Sequence, residues 1–381
     1  MTFVENSAPQ FAGQRVLVIL SSIDWIFRRQ RQQQLADSLS RSFDTVLFLG
    51  PGSFDHAVGN LPALVDTEGR VRSLFLASSS AWIWLRTSSE GEAKRLAGDL
   101  NRLLSRAAEV TVLAMFPAWE PVARQIACRH LVYDALDDHG SFDHVRADIS
   151  GDEQRLVARA DLVTAPHERI LDRLGGAAVR TLLVPNGYDP QAQKQETDGA
   201  ARLARAIYVG AIEPWFDWPL VIAAAERLPV VRFEIVGQVR HPPPKVLPEN
   251  VVLLGELPHP DAMQRLAGSS VALIPFIVSD LTRAVDPVKL YEYMAAGLPV
   301  VTTPFLADRW AQVPGIRLAG NAEDFTAAIR QAFEETGPDL RDSLQRAACE
   351  ASWDSRAADL LDALRAGGTG CSANPTGRGP D

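Results

Sequence analysis

The chain runs through one strand-and-helix alternation, turns polar, and then runs through it again. Arg15-Val-Leu-Val-Ile-Leu20 is a continuous apolar run, which suits a strand covered on both faces. Thr45–Leu49, Val71–Leu76, Val110–Phe116, Leu131–Tyr133, Leu162–Thr164 and Thr181–Val184 read as further strands. Helical spacing is expected from about Arg28 to Ser40, then over Glu90–Ala108, Trp119–Cys128, Asp152–Arg159 and His167–Leu174. Between Pro190 and Gly199 the sequence becomes polar, as an interdomain linker does. Strands are expected again at Ala206–Val209, Phe233–Val236, Val251–Leu254, Val271–Ile274 and Val300–Thr302, the first three ending at Gly210, Gly237 and Gly255. Helices are expected at Trp218–Leu228, Ala262–Ala267, Ala322–Glu334, Leu340–Ala351 and Arg356–Leu364. Strands alternating with helices imply parallel sheets with right-handed crossovers. The expected fold is α/β, with two Rossmann-like domains facing a cleft. They would span 1–190 and 200–352, followed by a closing helix over 353–366 and a disordered Gly/Pro/Ser/Thr-rich tail over 367–381.

One helix is marked at both ends. Asp286 suits an N-cap and Pro287 the first helical position. Gly297 can end the helix in a left-handed conformation, and Pro299 stops it resuming. Lys289 falls in the first turn, where a cation opposes the helix dipole. An anion bound at the helix tip would account for that placement. Glu292, three residues on, shares its face and could hold a hydroxylated group such as ribose. The same spacing also suits a plain ion pair on a solvated face, and both readings stay open here.

Bulk properties exclude some classes. The net charge of −9 argues against a nucleic-acid surface. Cys128, Cys349 and Cys371 have neither metal-ligand nor disulfide spacing, as expected in a reducing compartment. No apolar run reaches the roughly 18 residues of a membrane span, and Met1–Gln14 does not read as a signal peptide. A cytoplasmic protein is expected, with peripheral contact at the inner membrane face allowed. No Walker-type loop or Gly-x-Gly-x-x-Gly follows the first strand, and no Gly-x-Ser-x-Gly elbow is present.

In open α/β sheets ligands bind beyond the carboxyl ends of the strands. The run Pro287-Val-Lys-Leu-Tyr-Glu-Tyr-Met-Ala-Ala-Gly-Leu-Pro-Val-Val301 follows such an end. With Val184-Pro-Asn-Gly-Tyr-Asp189, Tyr208-Val-Gly-Ala211, Ile235-Val-Gly237, Leu253-Leu-Gly255 and Ala272-Leu-Ile-Pro-Phe276, it resembles the GT-B glycosyltransferases, in particular glycosyltransferase family 4. That resemblance implies a nucleotide-sugar donor held mainly by the second domain, and no bound metal or other cofactor. Glu292 matches the second glutamate of the family's paired motif and would bind ribose. The first is replaced by Ala284. The family's basic residues after the first strand of the second domain are also missing, so Lys289 and Arg283 would neutralise the diphosphate. Leu290, Gly210, Gly237 and Gly255 complete the expected donor-binding set.

Trp215-Phe-Asp217, Asp286-Pro-Val-Lys289 and Tyr133-Asp-Ala-Leu-Asp-Asp138 look more like the subgroup that makes polysaccharides and teichuronic acid. The resemblance places the acceptor, a glycan or a lipid-linked sugar, on the first domain. Asp137 or Asp138 would then be the general base for an acceptor hydroxyl. A helix cap followed by solvated charge is the alternative. Arg28, Arg31 and Asn186 are the expected acceptor contacts, with Arg29 beside them, although basic side chains on a helix are often simply solvated. Trp25, Phe27, Trp82 and Trp84 could line the acceptor side or pack in the core, and His139, His144 and His167 have no ligand spacing. The expected activity is glycosyl transfer from a nucleoside diphosphate sugar. A nucleotide-sugar epimerase and a non-catalytic donor-binding protein are its rivals.

Overall fold

In the computed structural model, the described residues are 11–25, 29–50, 63–66, 71–75, 90–141, 148–176, 180–189, 204–244, 246–306, 308–335 and 337–367. They form two compact units, the first up to Pro185 and resuming at Trp353, the second from Asn186 to Ser352. Numbered in chain order, the strands of the first unit are β1 (Arg15–Leu20), β2 (Thr45–Leu49), β3 (Ala63–Asp66), β4 (Val71–Phe75), β5 (Glu109–Ala114), β6 (His130–Asp134), β7 (Leu162–Ala165) and β8 (Thr181–Leu183). Its helices are α1 (Arg31–Leu39), α2 (Glu90–Leu103), α3 (Glu120–Ala123), α4 (Ile149–Arg159), α5 (Glu168–Leu174) and, after the chain returns, a helix over Trp353–Ala366. The sheet order is β3-β4-β2-β1-β5-β6-β7-β8, parallel except for the β3–β4 pair.

The apolar runs explain the centre of this sheet. All five residues of β2 and the last five of β1 are buried, as a strand between two helical layers requires. Leu17, Ile19, Leu113 and Val132 on one face meet Leu35 and Leu39 of α1 and Trp353, Ala357 and Leu360 of the Trp353–Ala366 helix. Burying one leucine-sized side chain contributes roughly 1.5–3 kcal/mol, so this contact fixes the returning helix on the first unit.

The second unit contains β9 (Arg205–Val209), α6 (Trp218–Arg227), β10 (Arg232–Val236), β11 (Val251–Gly255), α7 (His259–Ala267), β12 (Val271–Ile274), α8 (Asp280–Arg283), α9 (Val288–Ala295), β13 (Val300–Thr302), α10 (Asp308–Ala311), β14 (Ile316–Leu318), α11 (Ala322–Glu334) and α12 (Pro338–Glu350). Completing the sequence, the Trp353–Ala366 helix is α13. The sheet order β11-β10-β9-β12-β13-β14 changes direction at β9, the topological switch of a Rossmann-like sheet. Each observed pair in it is parallel. Helix starts follow local chemistry. Asp217 accepts from Leu220 N–H at 2.9 Å to open α6, and Asn321 accepts from Asp324 N–H at 2.9 Å to open α11.

Two local expectations change, and some short elements are added. The helix expected over Trp119–Cys128 is a 3-10 turn at Pro117–Trp119 followed by the single turn α3. Asn101 ends it, donating to Gln125 C=O and accepting from Ala127 N–H. α9 begins at Val288, so Pro287 is its N-cap and Asp286 lies outside it. The antiparallel β3 and the short elements α8, α10 and β14 have too little periodicity to be read from sequence. Gly297 does end α9 in the left-handed region, at φ 62°.

Candidate functional site

The second unit's site is built where β9, β10 and β11 end. Gly210 N–H donates to Val236 C=O at 2.8 Å, and Gly237 N–H donates to Gly255 C=O at 2.7 Å. Gly210 (φ 150°) and Gly237 (φ 144°) occupy backbone conformations that favour glycine. A Cβ on Gly237 would fall on the carbonyl oxygen of Gly210. A Cβ on Gly210 would come within 2.5 Å of Lys289 Nζ, so the missing side chain is what admits the lysine.

Lys289 projects from the first turn of α9 into an aromatic corner. Its Nζ donates to Tyr208 Oη at 2.9 Å and lies 4.3 Å from the Tyr208 ring centroid and 4.8 Å from that of Phe276. Tyr208 O–H donates in turn to Ala211 C=O at 2.7 Å. Burial pushes the Lys289 pKa down to about 7, while the Glu292 carboxylate pulls it up. The two side chains do not pair. Glu292 instead lies 3.5 Å from Nε2 of His259 at the start of α7, and among the described residues Lys289 forms no ion pair. An ammonium held by two rings and one phenol, with no carboxylate in contact, is poised for an anion rather than satisfied by one.

The segment around Asn186 is tied to the start of α9. Asp286 accepts from Asn186 N–H at 2.6 Å and from Tyr291 O–H at 2.7 Å. Asn186 Nδ2 donates to Asp286 C=O at 2.5 Å. Asp286 is thus a tether, which corrects its expected N-cap role, and Asn186 is a buried strut of the second unit rather than an open acceptor contact. Leu290 is fully buried in the core and acts as scaffold. Arg283 ends α8 exposed and takes no part in the Lys289, Tyr208 and Phe276 contacts. Gly255 (φ 68°) closes β11 with open space where its Cβ would be.

In the first unit, the loop after β6 carries the carboxylates. Arg31 at the start of α1 is buried and grips Asp134 in two parallel bonds, Nε to Oδ2 at 2.8 Å and Nη2 to Oδ1 at 2.9 Å. Its Nη1 donates to Pro185 C=O at 3.2 Å, and Thr164 Oγ1 donates to Asp134 at 2.6 Å. The expected acceptor role of Arg31 therefore gives way to a structural one. Arg31→Met is expected to lower stability by about 3–5 kcal/mol, because it strands the buried Asp134 carboxylate. Chemical denaturation checks this. A loss under about 1 kcal/mol would mean Asp134 is hydrated.

Asp137 and Asp138 are treated differently by that scaffold. Asp138 lies 3.4 Å from Arg173 Nε, and Arg173 also holds Glu153, at 2.6 and 3.1 Å. Glu153 in turn accepts from Tyr133 O–H at 2.7 Å. Asp137 has no hydrogen bond or ion pair among the described residues. Burial pushes its pKa up to about 7, against the pull of the Arg31 guanidinium and with a further push from Asp138.

The remaining candidates have ordinary roles or lie elsewhere. His167 caps α5, its Nδ1 accepting from Arg169 N–H at 3.1 Å. His139 is buried edge-on to Phe116, and Trp25 edge-on to Phe48, with centroids 4.8 and 5.2 Å apart. Arg29 pairs with Asp37 at the surface. Arg28, Phe27, Trp82, Trp84, His144 and the tail beyond Gly367 lie outside the described residues. No described helix is long and apolar enough to cross a membrane. Among the described residues no group of three or more His, Cys, Asp and Glu is arranged to hold a metal ion. Sequence reading missed Tyr208, Phe276, His259 and Arg173. The available signal was position: Tyr208 is the penultimate residue of β9, and Phe276 stands two residues past the end of β12.

Residues 204–335 match the family model described as Glycosyl transferases group 1. TuaH of Bacillus subtilis (strain 168), named as a teichuronic acid biosynthesis glycosyltransferase, is 26% identical over 218 residues, 52% of this chain. The match spans only 55% of that relative's length. Among solved structures, sucrose-phosphate synthase from Thermosynechococcus elongatus superposes with a TM-score of 0.66 at 14% identity, covering 93% of this chain and 98% of its own. Anabaena HepE, solved in complex with UDP and glucose, gives 0.64 at 17% identity, covering 93% and 100%. The chain thus has the two-domain GT-B fold of these structures, and residues 204–335 are similar to the Glycosyl transferases group 1 family.

Proposed function

We propose that the protein transfers a sugar from a nucleoside diphosphate sugar, with UDP as the nucleotide, to a glycan or lipid-linked acceptor in cell-surface polysaccharide synthesis. The observation that carries this is the Lys289 ammonium in the first turn of α9, unpaired with Glu292 and held over two rings beside Gly210. The polysaccharide role draws support from the likeness to TuaH, and the nucleotide from the HepE complex.

Lys289 and the amides of the first turn hold the diphosphate and stabilise the charge that develops as it leaves. Glu292 accepts hydrogen bonds from the ribose hydroxyls. Asp137 takes the proton of the acceptor hydroxyl as its oxygen bonds to the anomeric carbon. The bond from that carbon to the diphosphate breaks, and the electron pair leaves with the nucleotide. The acceptor side belongs to the first unit and the donor side to the second. The cytoplasm is the matching compartment, with the acceptor presented at the inner membrane face.

The test is release of nucleoside diphosphate from UDP-sugars, with and without a membrane extract supplying acceptor. Release is expected only with extract, together with a new glycosidic product. Release without acceptor accompanied by an altered free sugar would mean epimerisation instead, and saturable donor binding without turnover would mean a binding protein.

A further inference from the structure

The first unit has a cavity at the amino ends of its central strands, the opposite strand ends from the loop that carries Asp137. The face of β1, β5 and β6 that packs on α13 is apolar through Leu17, Ile19, Leu113 and Val132. At the amino ends of the same strands it turns polar. In register, Arg15 of β1 stands beside Glu109 of β5, and Thr111 of β5 beside His130 of β6. These four side chains, with Arg129, line a cavity of about 250 Å³ whose roof is the last turn of α13 at Leu364 and Arg365.

Two features mark it as built to receive something. Thr111 is 2% exposed and His130 9%, both line the cavity, and neither side chain has a hydrogen-bond partner among the described residues. Neither is among the buried polar atoms left without a partner, so the hydroxyl and the imidazole reach solvent through the cavity and can meet a ligand with polar atoms there. The charge of the wall is also one-sided. Three arginines face one carboxylate. Arg129 is only 4.0 Å from Glu109, Arg365 pairs with Asp362 at 2.9 Å outside the lining, and the Arg15 guanidinium has no partner among the described residues. A planar fork with free donors suits an oxyanion.

We propose that this cavity binds a compact oxyanion, either inorganic phosphate or a small phosphate ester, at a site separate from the donor site. Arg15 supplies the charged fork, Thr111 and His130 supply the floor, and α13 closes the roof. Because α13 is the element by which the chain rejoins the first unit, occupancy would stiffen that return.

Titration calorimetry on the full chain, at matched ionic strength in chloride, tests this with inorganic phosphate and with glucose 6-phosphate as probes. Saturable one-to-one binding of at least one probe is expected. Arg15→Ala should weaken it at least tenfold and Thr111→Val several-fold, while Lys289→Ala leaves it unchanged. Arg15 is exposed at a strand start, so its truncation leaves the fold intact. Tighter binding of the ester than of phosphate identifies an ester as the ligand, and equal binding identifies the bare anion. Absence of saturable binding by either probe overturns the proposal. So does an unchanged affinity in Arg15→Ala, or a loss in Lys289→Ala that would place the anion at the donor site.

Discussion

A Lys289→Ala enzyme is expected to lose its donor-induced rise in melting temperature and roughly 10²–10³-fold in kcat/KM, the scale for removing one preorganised donor from a developing anion. The apo protein is expected to melt within a few degrees of the parent, because two terms oppose each other. The cation–π contacts with Tyr208 and Phe276 contribute up to about 2 kcal/mol when desolvated. Against them stands the cost of burying an ammonium that has no carboxylate in contact, which is what drives its pKa down to about 7. Removing both leaves little net change.

The pH dependence follows with its sign. The Lys289 pKa is lowered on folding, so between about 7 and the ordinary lysine value the unfolded chain holds a proton that the folded one has released. Apo stability should therefore rise with pH across that window in the parent and not in Lys289→Ala. Donor affinity should run the other way. With the diphosphate on the ammonium, as proposed, affinity should fall as pH climbs above about 7, and binding should take up a proton there. Calorimetry in buffers of different ionisation enthalpy reads that proton directly. If Lys289→Ala binds UDP-sugars as tightly as the parent, α9 does not hold the diphosphate.

Lys289 was legible because its signal is local. A cation in the first turn of a helix whose ends are marked by proline and glycine needs no tertiary information to look out of place. What surrounds it was not legible. Tyr208 lies 81 residues away and Phe276 belongs to another strand end, and no periodicity links them to α9. Asp286 shows the same limit from the other side. Its position predicts a cap, but two partners with better geometry, Asn186 from 100 residues earlier and Tyr291 one turn on, take its carboxylate. Arg31 looked like surface charge for the same reason, since Asp134 is 103 residues distant. At the level of the fold, continuous buried runs such as β1 and β2 were readable, whereas β3 owes its existence to pairing with β4 at the sheet edge. Elements of three or four residues such as β14 and α8 carry less than one period of pattern.

Asp137→Asn is expected to lower kcat by roughly 10²–10⁴-fold while leaving donor binding intact, the range for losing a general base. The neighbouring Asp138→Asn should cost far less in catalysis, since Asp138 is engaged by Arg173 and Asp137 is not. In the parent, kcat/KM should rise as pH increases toward about 7, because Asp137 must lose its proton to act, and burial is what places that step so far above the usual carboxylate range. Above the same point the Lys289 ammonium deprotonates in the free enzyme, so the profile should turn over into a narrow bell around neutrality. Asp137→Asn should lose the rising limb and keep the falling one. Stability separates this from simple damage to the fold. A carboxyl whose pKa is raised on folding destabilises the native state progressively as pH rises from the ordinary carboxylate value to about 7. At pH above that window the asparagine variant, free of that cost, should unfold at the same denaturant concentration as the parent or a higher one. An inactive Asp137→Asn that is also clearly less stable would mark Asp137 as a structural residue and return the search for the base to Asp138.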